Sequence, residues 1–471
     1  MRKSAALLLA LVFLTVSCIS ITKPAFSSEE MEENSWTSKA PMHVARSSLR
    51  VAVVNGKIYA IGGGAETGVV GTNEEYDPAT DMWAFKKSMP TPREVFAIAA
   101  YQNKIYCVGG YTSNGTVTGV NEVYDPANDT WETKASMPTA RGWLEANVIN
   151  SKIYLIGGYV PDNSSFGYSI SNLNEVYDPA TNSWTTKALM PTAASDYVSA
   201  VVDNKLFVIG GQSEAPRSNL NQIYDPSIDR WSTGAPSPSG IRYGACAAGA
   251  TTGVDAPKRI YVLGETLHLW EGEPPNSVRI YDPQSDIWTF GADVPTNRES
   301  FGVAVVNDLL YVIGGSTATY RDFPETWLYP PEVTWYATNE QYTPFGYGTV
   351  PPTIHVVSPE NKTYTSSNVS LAFTVNKPAS WVGYSLDGQD NVTSTGNTTL
   401  SGLANGSHNI TVYAKDEFEN TGASETVTFT IAKETEAFPI RLAVAAAVVV
   451  AALVLLAAVS VGLSAYLKKR K

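Results

Sequence analysis

Arginine recurs sixteen residues before a glycine that ends an apolar run of the chain. The pattern belongs to a segment that occurs six times in the chain. In one copy of this segment alanine replaces the arginine, at Ala194, and in another an insertion leaves an arginine only nearby. If the copies form a ring, their guanidinium groups surround one mouth of a central channel. Guanidinium groups bind carboxylates through paired hydrogen bonds, so this ring would favour an anionic ligand. The candidate ligand contacts are therefore Arg46, Arg93, Arg141, Arg242 and Arg298.

A structural role for these arginines is the alternative interpretation. Their guanidinium groups could bond to neighbouring backbone carbonyl groups, or to the nearby acids Glu94, Glu145 and Glu299. Spacing alone does not decide between ligand contact and internal pairing.

Aromatic residues supply a second set of candidates, in the longest segments that follow the glycine-ending runs. These residues are Tyr159, Trp270, Tyr320 and Trp327. Aromatic rings in loops stack on sugars and anchor protein contacts. The alternative is that a ring packs only against its own loop.

Signatures of catalysis are missing from the sequence. No HExxH, GxSxG or P-loop motif and no metal-spaced cysteine pair occurs, so we predict no catalytic residue, metal or cofactor. The three cysteines are too few for a disulfide scaffold. A formal net charge of -12 repels phosphate backbones, so a nucleic acid partner is not expected.

A repeat of about fifty residues must position these candidates. Each copy contains an apolar strand that ends in glycine, and five of the six copies have a second glycine after it. Tyr-Asp-Pro follows in five copies and predicts a turn, and a tryptophan comes seven residues after the tyrosine. The pairs are Tyr76 and Trp83, Tyr124 and Trp131, Tyr177 and Trp184, Tyr224 and Trp231, and Tyr281 and Trp288.

The last copy lacks its tryptophan strand. It contains the degraded motif Tyr342-Thr343-Pro344, whereas an unpaired tryptophan segment begins at Trp36. We predict that the Trp36 segment joins the last sheet as its fourth strand, which leaves no open edge.

The double glycine, the tyrosine and the tryptophan at fixed spacing resemble the kelch repeat. The resemblance implies an all-β fold, with residues 34–345 forming a six-bladed β-propeller of four-stranded blades. Among related enzymes, the galactose-oxidase-like copper proteins need a tyrosine next to a histidine ligand, and none of the four histidines follows a tyrosine. Sialic-acid mutarotases are also six-bladed kelch proteins, and the arginines keep that alternative open.

The remaining segments indicate export and membrane attachment. Cations, an apolar run and small residues near Ser27 make residues 1–28 a predicted signal peptide. Alternating apolar residues in 352–432 resemble an Ig-like β-sandwich stalk of prokaryotic surface proteins, and 433–441 form a linker. The uncharged run 442–467 is long enough to span a bilayer, and the basic tail 468–471 places the C-terminus in the cytoplasm.

Nine Asn-x-Ser/Thr sequons are candidate glycosylation sites, although such triplets also arise freely in Asn/Thr-rich strands. They begin at Asn114, Asn128, Asn163, Asn361, Asn368, Asn391, Asn397, Asn405 and Asn409. The favoured hypothesis is a membrane-anchored cell-surface protein for recognition or adhesion, whose propeller binds a protein or a glycan. The alternative is an extracytoplasmic carbohydrate-active enzyme such as a sialic-acid-type mutarotase or epimerase.

Overall fold

A computed structural model describes residues 32–162, 167–213, 219–241, 247–264, 276–319, 332–433 and 440–469. The regular secondary structure of these residues is β-strand, apart from one helix near the C-terminal end. The predicted all-β class is therefore confirmed.

Six four-stranded antiparallel sheets occupy the region of the repeats. We number them sheet 1 to sheet 6 and give the strands of each in spatial order. They are Arg50–Val54, Lys57–Ile61, Asn73–Asp77 and Met82–Lys86; Ala97–Tyr101, Lys104–Val108, Asn121–Asp125 and Thr130–Lys134; Glu145–Ile149, Lys152–Ile156, Asn174–Asp178 and Ser183–Thr186; Val198–Val202, Lys205–Ile209, Asn221–Asp225 and Arg230–Gly234; Ala247–Ala250, Ile260–Leu263, Val278–Asp282 and Ile287–Gly291; and Gly302–Val306, Leu309–Ile313, Asn339–Thr343 and Ser35–Lys39.

The sheets are arranged in a closed ring. The first strand of each sheet contacts the first strands of the sheets before and after it, and sheet 6 contacts sheet 1 in the same way. Six clusters of buried apolar side chains each lie between two neighbouring sheets. The core is thus divided into six layers around an axis, an arrangement consistent with a β-propeller.

Short two-stranded sheets extend from the ring where the second strand of a sheet connects to the third. Three of them are hairpins within this connection, and in the fourth the connection pairs with the segment that enters the same sheet. Their strands are Gly64–Ala65 with Gly68–Val69, Arg93–Glu94 with Tyr111–Thr112, Tyr159–Pro161 with Tyr168–Ile170, and Ser316–Thr319 with Glu332–Trp335. These hairpins and entering segments lie together, as the bridge between Ser47 and Gly64 shows. We call this side of the ring the loop face.

The repeated tyrosine and tryptophan fasten each sheet to the preceding one. Tyr76 in sheet 1 donates its hydroxyl hydrogen to Asp81, whose carboxylate also accepts the backbone N–H of Ala40 at the end of sheet 6. The indole of Trp83 donates to the carbonyl oxygen of Ala40 at 2.7 Å. The same three hydrogen bonds occur in every sheet, with Asp129, Asn182, Asp229, Asp286 and Asn34 in the place of Asp81.

The double glycine lets the chain of the next sheet approach closely. Gly62 and Gly63 have φ of 64° and 100°, values that favour glycine. A Cβ atom on Gly62 would lie 2.6 Å from the carbonyl oxygen of Arg93, which accepts the N–H of Gly63 at 2.9 Å. The motif therefore binds the segment that enters the following sheet.

The outer strand of sheet 6 is supplied by the start of the described chain. Strand Ser35–Lys39 pairs antiparallel with Asn339–Thr343 and places Trp36 opposite Tyr342. Trp36 also donates its indole hydrogen to Ala292 of sheet 5. This closure strand therefore completes sheet 6 and fastens it to sheet 5 without a covalent connection to its neighbour in the sheet.

Residues 354–431 form a second unit, in which two sheets enclose one apolar cluster. One sheet contains Ile354–Ser358, Val369–Val375 and Thr398–Leu400. The other contains Thr363–Tyr364, Val427–Ile431, Gly406–Lys415, Trp381–Leu386 and Val392–Thr393, with Thr421–Ala423 paired to Gly406–Lys415.

Buried polar contacts join this unit to the ring. The ammonium group of Lys377 lies 2.9 Å from Asp416 of the same unit and 3.6 Å from Asp255 of the ring. Tyr347 follows the last strand of the ring of sheets, and its aromatic side chain contacts that of Phe418 at 5.9 Å between centroids. The Lys377–Asp416 pair is almost fully buried within the second unit, and the same ammonium group reaches across the junction to the partly exposed carboxylate of Asp255.

The helix spans Ile440–Lys468. Its segment Ala447–Lys468 is long and apolar enough to cross a membrane, and none of that segment is buried against the rest of the described chain.

The closure strand leads to a stability prediction. Replacement of Trp36 by alanine removes apolar contacts with Tyr342 and the bond to Ala292, and should lower the free energy of unfolding by about 3 kcal/mol. Thr37→Ala, in the same strand but exposed, is the matched control. Thermal and urea unfolding followed by circular dichroism measure both, and equal stability of the two variants would contradict the role assigned to Trp36.

Candidate functional site

Four of the predicted arginines are buried inside the sheets. Arg46, Arg93 and Arg141 have no exposed surface, and Arg298 has 2%. Burial lowers the pKa of Arg46, Arg93 and Arg298, although the adjacent glutamates counteract this effect. The prediction that these side chains surround an open mouth is therefore corrected: their guanidinium groups lie within the protein.

Each buried arginine pairs with a glutamate from the third strand of its own sheet. The closest N···O distances are 2.5 Å to Glu74, 2.8 Å to Glu122, 2.5 Å to Glu175 and 2.5 Å to Glu340. Each also donates to a carbonyl group of the second strand, as Arg46 does to Ala60 at 2.8 Å. The internal interpretation was correct in kind, but the partners differ from Glu94, Glu145 and Glu299.

The two sheets without this arginine also lack the glutamate. In sheet 4, Ala194 occupies the arginine position and Gln222 occupies that of the acid, where its amide bonds to the backbone of Thr192. In sheet 5, the carbonyl group of Ile241 accepts the bond that Arg141 accepts in sheet 3, so Ile241 takes the arginine position. Arg242, predicted as a ligand contact near this position, lies outside the described residues.

The centre of the ring holds a small cavity. Its volume is about 50 Å³, and its lining includes Arg50, Glu145 and Ser199 among apolar side chains. Arg50 reaches across from sheet 1 to Glu145 of sheet 3 at 3.3 Å and donates to the carbonyl oxygen of Phe96 at 2.7 Å. A sugar needs a larger space, since ligand pockets usually measure about 300–1,000 Å³.

A belt of left-handed residues lies beside this cavity. Ser48, Val95, Trp143, Asp196 and Ser300 have φ between 46° and 56°. Their peptide groups are joined in series, because Ser48 donates to Ser300, Val95 to Ser48, Trp143 to Val95, and Asp196 to Trp143. The belt fixes the first strands of successive sheets around the axis.

Two acids in this region resist ionisation. Burial raises the pKa of Asp196 from 3.8 to about 8, despite the nearby charge of Arg50. Burial also raises the pKa of Glu145. One carboxylate oxygen of Asp196 is buried without a hydrogen-bond partner, so the site penalises its charged form.

A larger pocket opens on the loop face between sheet 6 and sheet 1. It has a volume of about 480 Å³, and we call it the sheet 6–1 pocket. Three segments line it: 43–45, which enters sheet 1, the hairpin residues 65–67, and the hairpin residues 333–335. Trp335 is half-buried in its wall, and Glu66 is exposed at its edge.

Of the four aromatic residues predicted as ligand contacts, the structure describes Tyr159. Tyr159 is buried, and its hydroxyl group bonds to Gln212. Its ring packs edge-on against Tyr168 at 4.5 Å, so Tyr159 pins its own hairpin. Trp270, Tyr320 and Trp327 lie outside the described residues.

Eight of the nine sequon asparagines lie in the described residues, and all eight are exposed. The ninth, Asn163, lies outside them. Glycosylation at these positions stays a prediction.

Family models match most of the ring. A kelch motif model matches residues 45–90 and 95–138, and the model of the KLHDC2/KLHL20/DRC7 kelch-repeats domain matches residues 134–315. The chain carries kelch repeats.

Several curated proteins are similar to this kelch-repeat chain over part of their length. Halomucin of Haloquadratum walsbyi is 42% identical over 91 residues, which are 18% of this chain and 1% of that protein. Mouse kelch-like protein 35 is 29% identical over 142 residues, which cover 30% of this chain and 22% of that protein. Kelch-like protein terF of Aspergillus terreus is 29% identical over 31% of this chain and 33% of its own. The kelch-repeat chain thus spans a third or less of these relatives.

Among solved structures, that of YjhT aligns with a TM-score of 0.47 and 18% identity. The alignment covers 59% of this chain and 92% of that chain.

The kelch repeat itself contained a signal for the arginine partners. The glutamate stands two residues before the repeated tyrosine, in Asn-Glu-x-Tyr, and it is absent from the two copies that lack the arginine. The sheet 6–1 pocket had no such signal, because its walls come from segments about 270 residues apart in sequence.

We predict that removing one charge from a buried Arg–Glu pair strongly lowers the free energy of unfolding. Glu122→Ala leaves Arg93 buried without its partner and should cost about 3–5 kcal/mol of unfolding free energy. Gln222→Ala, at the same place in sheet 4 but without an arginine, is the control and should cost less. Urea unfolding measures both, and a smaller loss for Glu122→Ala than for Gln222→Ala would contradict the pairing.

Asp196 predicts that stability depends on pH. Its folded-state pKa lies above the ordinary value of 3.8, so the folded state holds this proton more tightly than the unfolded state does. The stability that the protonated carboxyl group contributes is fully present below about pH 4 and is lost as the pH rises through 8. Asp196→Asn keeps the shape and tolerates the left-handed conformation, so it should be more stable than the parent protein by at least about 2 kcal/mol at pH 9 and by little at pH 4. The control is Asp203→Asn, exposed and also left-handed, which should show no such trend. Chemical unfolding across pH 4–9 tests this difference, and a gain that does not grow with pH would refute it.

Proposed function

We propose that this kelch-repeat chain is a cell-surface recognition protein. In this proposal residues 34–345 are a six-bladed propeller that binds a protein or a glycan on the loop face. Residues 352–432 are an Ig-like stalk, and residues 442–467 anchor the chain in the membrane with the basic tail 468–471 in the cytoplasm.

The contrast between the axis and the loop face carries the proposal. The axial cavity is small and crossed by the Arg50–Glu145 ion pair, whereas the sheet 6–1 pocket on the loop face is almost ten times larger. The described arginines expected at the mouth are buried, and each pairs with a glutamate and donates to a backbone carbonyl group. Kelch domains generally mediate protein interactions, and an open face suits binding.

The C-terminal helix supports the surface location. An exposed apolar helix that ends at Lys468 and is followed by Lys469 is suited to a bilayer with its basic end on the cytoplasmic side. The ring and the stalk then lie outside the cell, where the exposed sequon asparagines would be available for glycosylation.

One observation favours an enzyme as the second candidate. Acids with a raised pKa, such as the half-buried Glu145 and the buried Asp196, are frequent at catalytic sites, and a mutarotase or epimerase would need groups that exchange protons with a sugar. The axial cavity disfavours this alternative, because the space that Glu145 lines is smaller than a sugar needs.

The test uses the full chain in lipid nanodiscs. We expect saturable binding to one class of ligand on a glycan array or in an extracellular protein library, with heat-unfolded protein as the control. Any sugar that binds is then examined by NMR for exchange between its anomers. Catalysed exchange that disappears in Glu145→Gln would replace the recognition proposal by the enzymatic one, and absence of any ligand would contradict both.

A further inference from the structure

We propose that the sheet 6–1 pocket binds a neutral sugar residue, with the sugar ring against the indole of Trp335. This inference rests on the proposed recognition function and names the ligand class of one site on the loop face. It is argued from the shape, the hydrogen-bonding groups and the charge of the pocket.

The pocket has a rigid frame. The N–H of Met42 donates to Ala337 at 2.8 Å and that of Arg46 to Tyr336 at 3.2 Å, so the entering segment is fixed to the Trp335 hairpin. Ser47 and Gly64 exchange two backbone hydrogen bonds, which fix the same segment to the other hairpin. All three walls are therefore tied together before a ligand arrives, which lowers the entropic cost of binding.

His43 presents an acceptor to the pocket. Its Nδ1 atom lies 2.8 Å from Glu74, and the same carboxylate accepts the backbone N–H of His43 and pairs with Arg46. With the carboxylate engaged by these donors, Nδ1 carries the proton in the neutral ring and Nε2 is an acceptor. The ring is also stacked on Phe85, with 4.6 Å between centroids, which holds its orientation.

The remaining polar groups suit hydroxyl ligands. Thr67 and Thr334 supply hydroxyl groups that both donate and accept, and Glu66 supplies a carboxylate acceptor. Sugar hydroxyl groups can donate to the imidazole and the carboxylate, while the C–H face of the sugar packs on Trp335.

The charge of the pocket favours a neutral sugar over an acidic one. Among the described lining residues, Glu66 carries the one permanent charge, and it is negative. The nearby guanidinium group of Arg46 is buried and neutralised by Glu74. A carboxylate ligand would meet repulsion from Glu66 without a compensating cation among the lining residues that the structure describes, so sialic or uronic acids are disfavoured here.

The size of the pocket favours a sugar over a protein surface. A volume of about 480 Å³ holds a compact ligand. A stable protein interface buries about 800 Å² on each partner and extends well beyond such a pocket. A protein ligand is therefore an outcome that the test must separate.

The experiment titrates the full chain in nanodiscs with two sets of sugars. The neutral set contains methyl glycosides of glucose, galactose, mannose and N-acetylglucosamine, and the acidic set contains glucuronic acid and N-acetylneuraminic acid. We expect a neutral sugar to bind, Trp335→Ala to weaken its affinity at least about tenfold, and Trp335→Phe to retain most of it. Tyr168→Ala, an exposed aromatic residue on another hairpin, is the matched control and should bind like the parent chain.

A second variant tests the charge argument. Glu66→Lys should raise the affinity for the acidic sugars by at least about threefold, because it replaces the repulsive charge by an attractive one. Unfolding curves of each variant show whether the ring remains folded.

The outcomes distinguish this inference from the function on which it rests. Neutral-sugar binding that Trp335→Ala leaves intact, or preferential binding of an acidic sugar by the parent chain, overturns the inference and leaves recognition in place. Binding of a protein ligand without any neutral sugar does the same. If neither sugars nor proteins bind, the recognition function fails together with the inference.

Discussion

The ring depends on a clasp between neighbouring sheets, in which one side chain accepts both a tyrosine hydroxyl and a backbone N–H of the preceding sheet. Asp81 performs this task for sheet 1, and Asn34 performs it for sheet 6. The clasp is short-ranged and directional, so it fixes the spacing between sheets where apolar packing alone would allow sliding. The clasp is repeated at all six junctions between the described sheets, including the two that involve the closure strand and the residues beside it.

The sequence was most informative where one residue type has one physical task. The seven-residue step from tyrosine to tryptophan predicts a hairpin, and in the structure Tyr76 lies directly opposite Trp83. The same spacing carries the resemblance to the kelch repeat, and that resemblance implies the all-β class. The site was harder to predict, because an arginine and its glutamate lie 28 or more residues apart and spacing does not show which side chains face each other. In sheet 5 an insertion alters the spacing, so counting residues back from the glycine does not show that Ile241 takes the arginine position.

Because the arginines and glutamates of the sheets pair inside the protein, we expect the function to depend on the segments in which the copies of the repeat differ. The Arg–Glu pairs are internal, and the axial cavity is crossed by Arg50 and Glu145. The loop-face hairpins differ between sheets in length and residue type, which is where a repeat fold can change its ligand without changing its core. His43 illustrates the link, since the glutamate that neutralises Arg46 also orients this imidazole at the rim of the sheet 6–1 pocket.

The closure strand determines how mechanical force would pass through the molecule. The chain leaves the ring from strand Asn339–Thr343, which is hydrogen-bonded on one side to Leu309–Ile313 and on the other to Ser35–Lys39. Tension that reaches this strand along its axis shears two hydrogen-bond ladders at once. Shear loads many bonds together, whereas peeling would break them one by one, so the central place of this strand in sheet 6 makes the exit of the chain resistant to pulling.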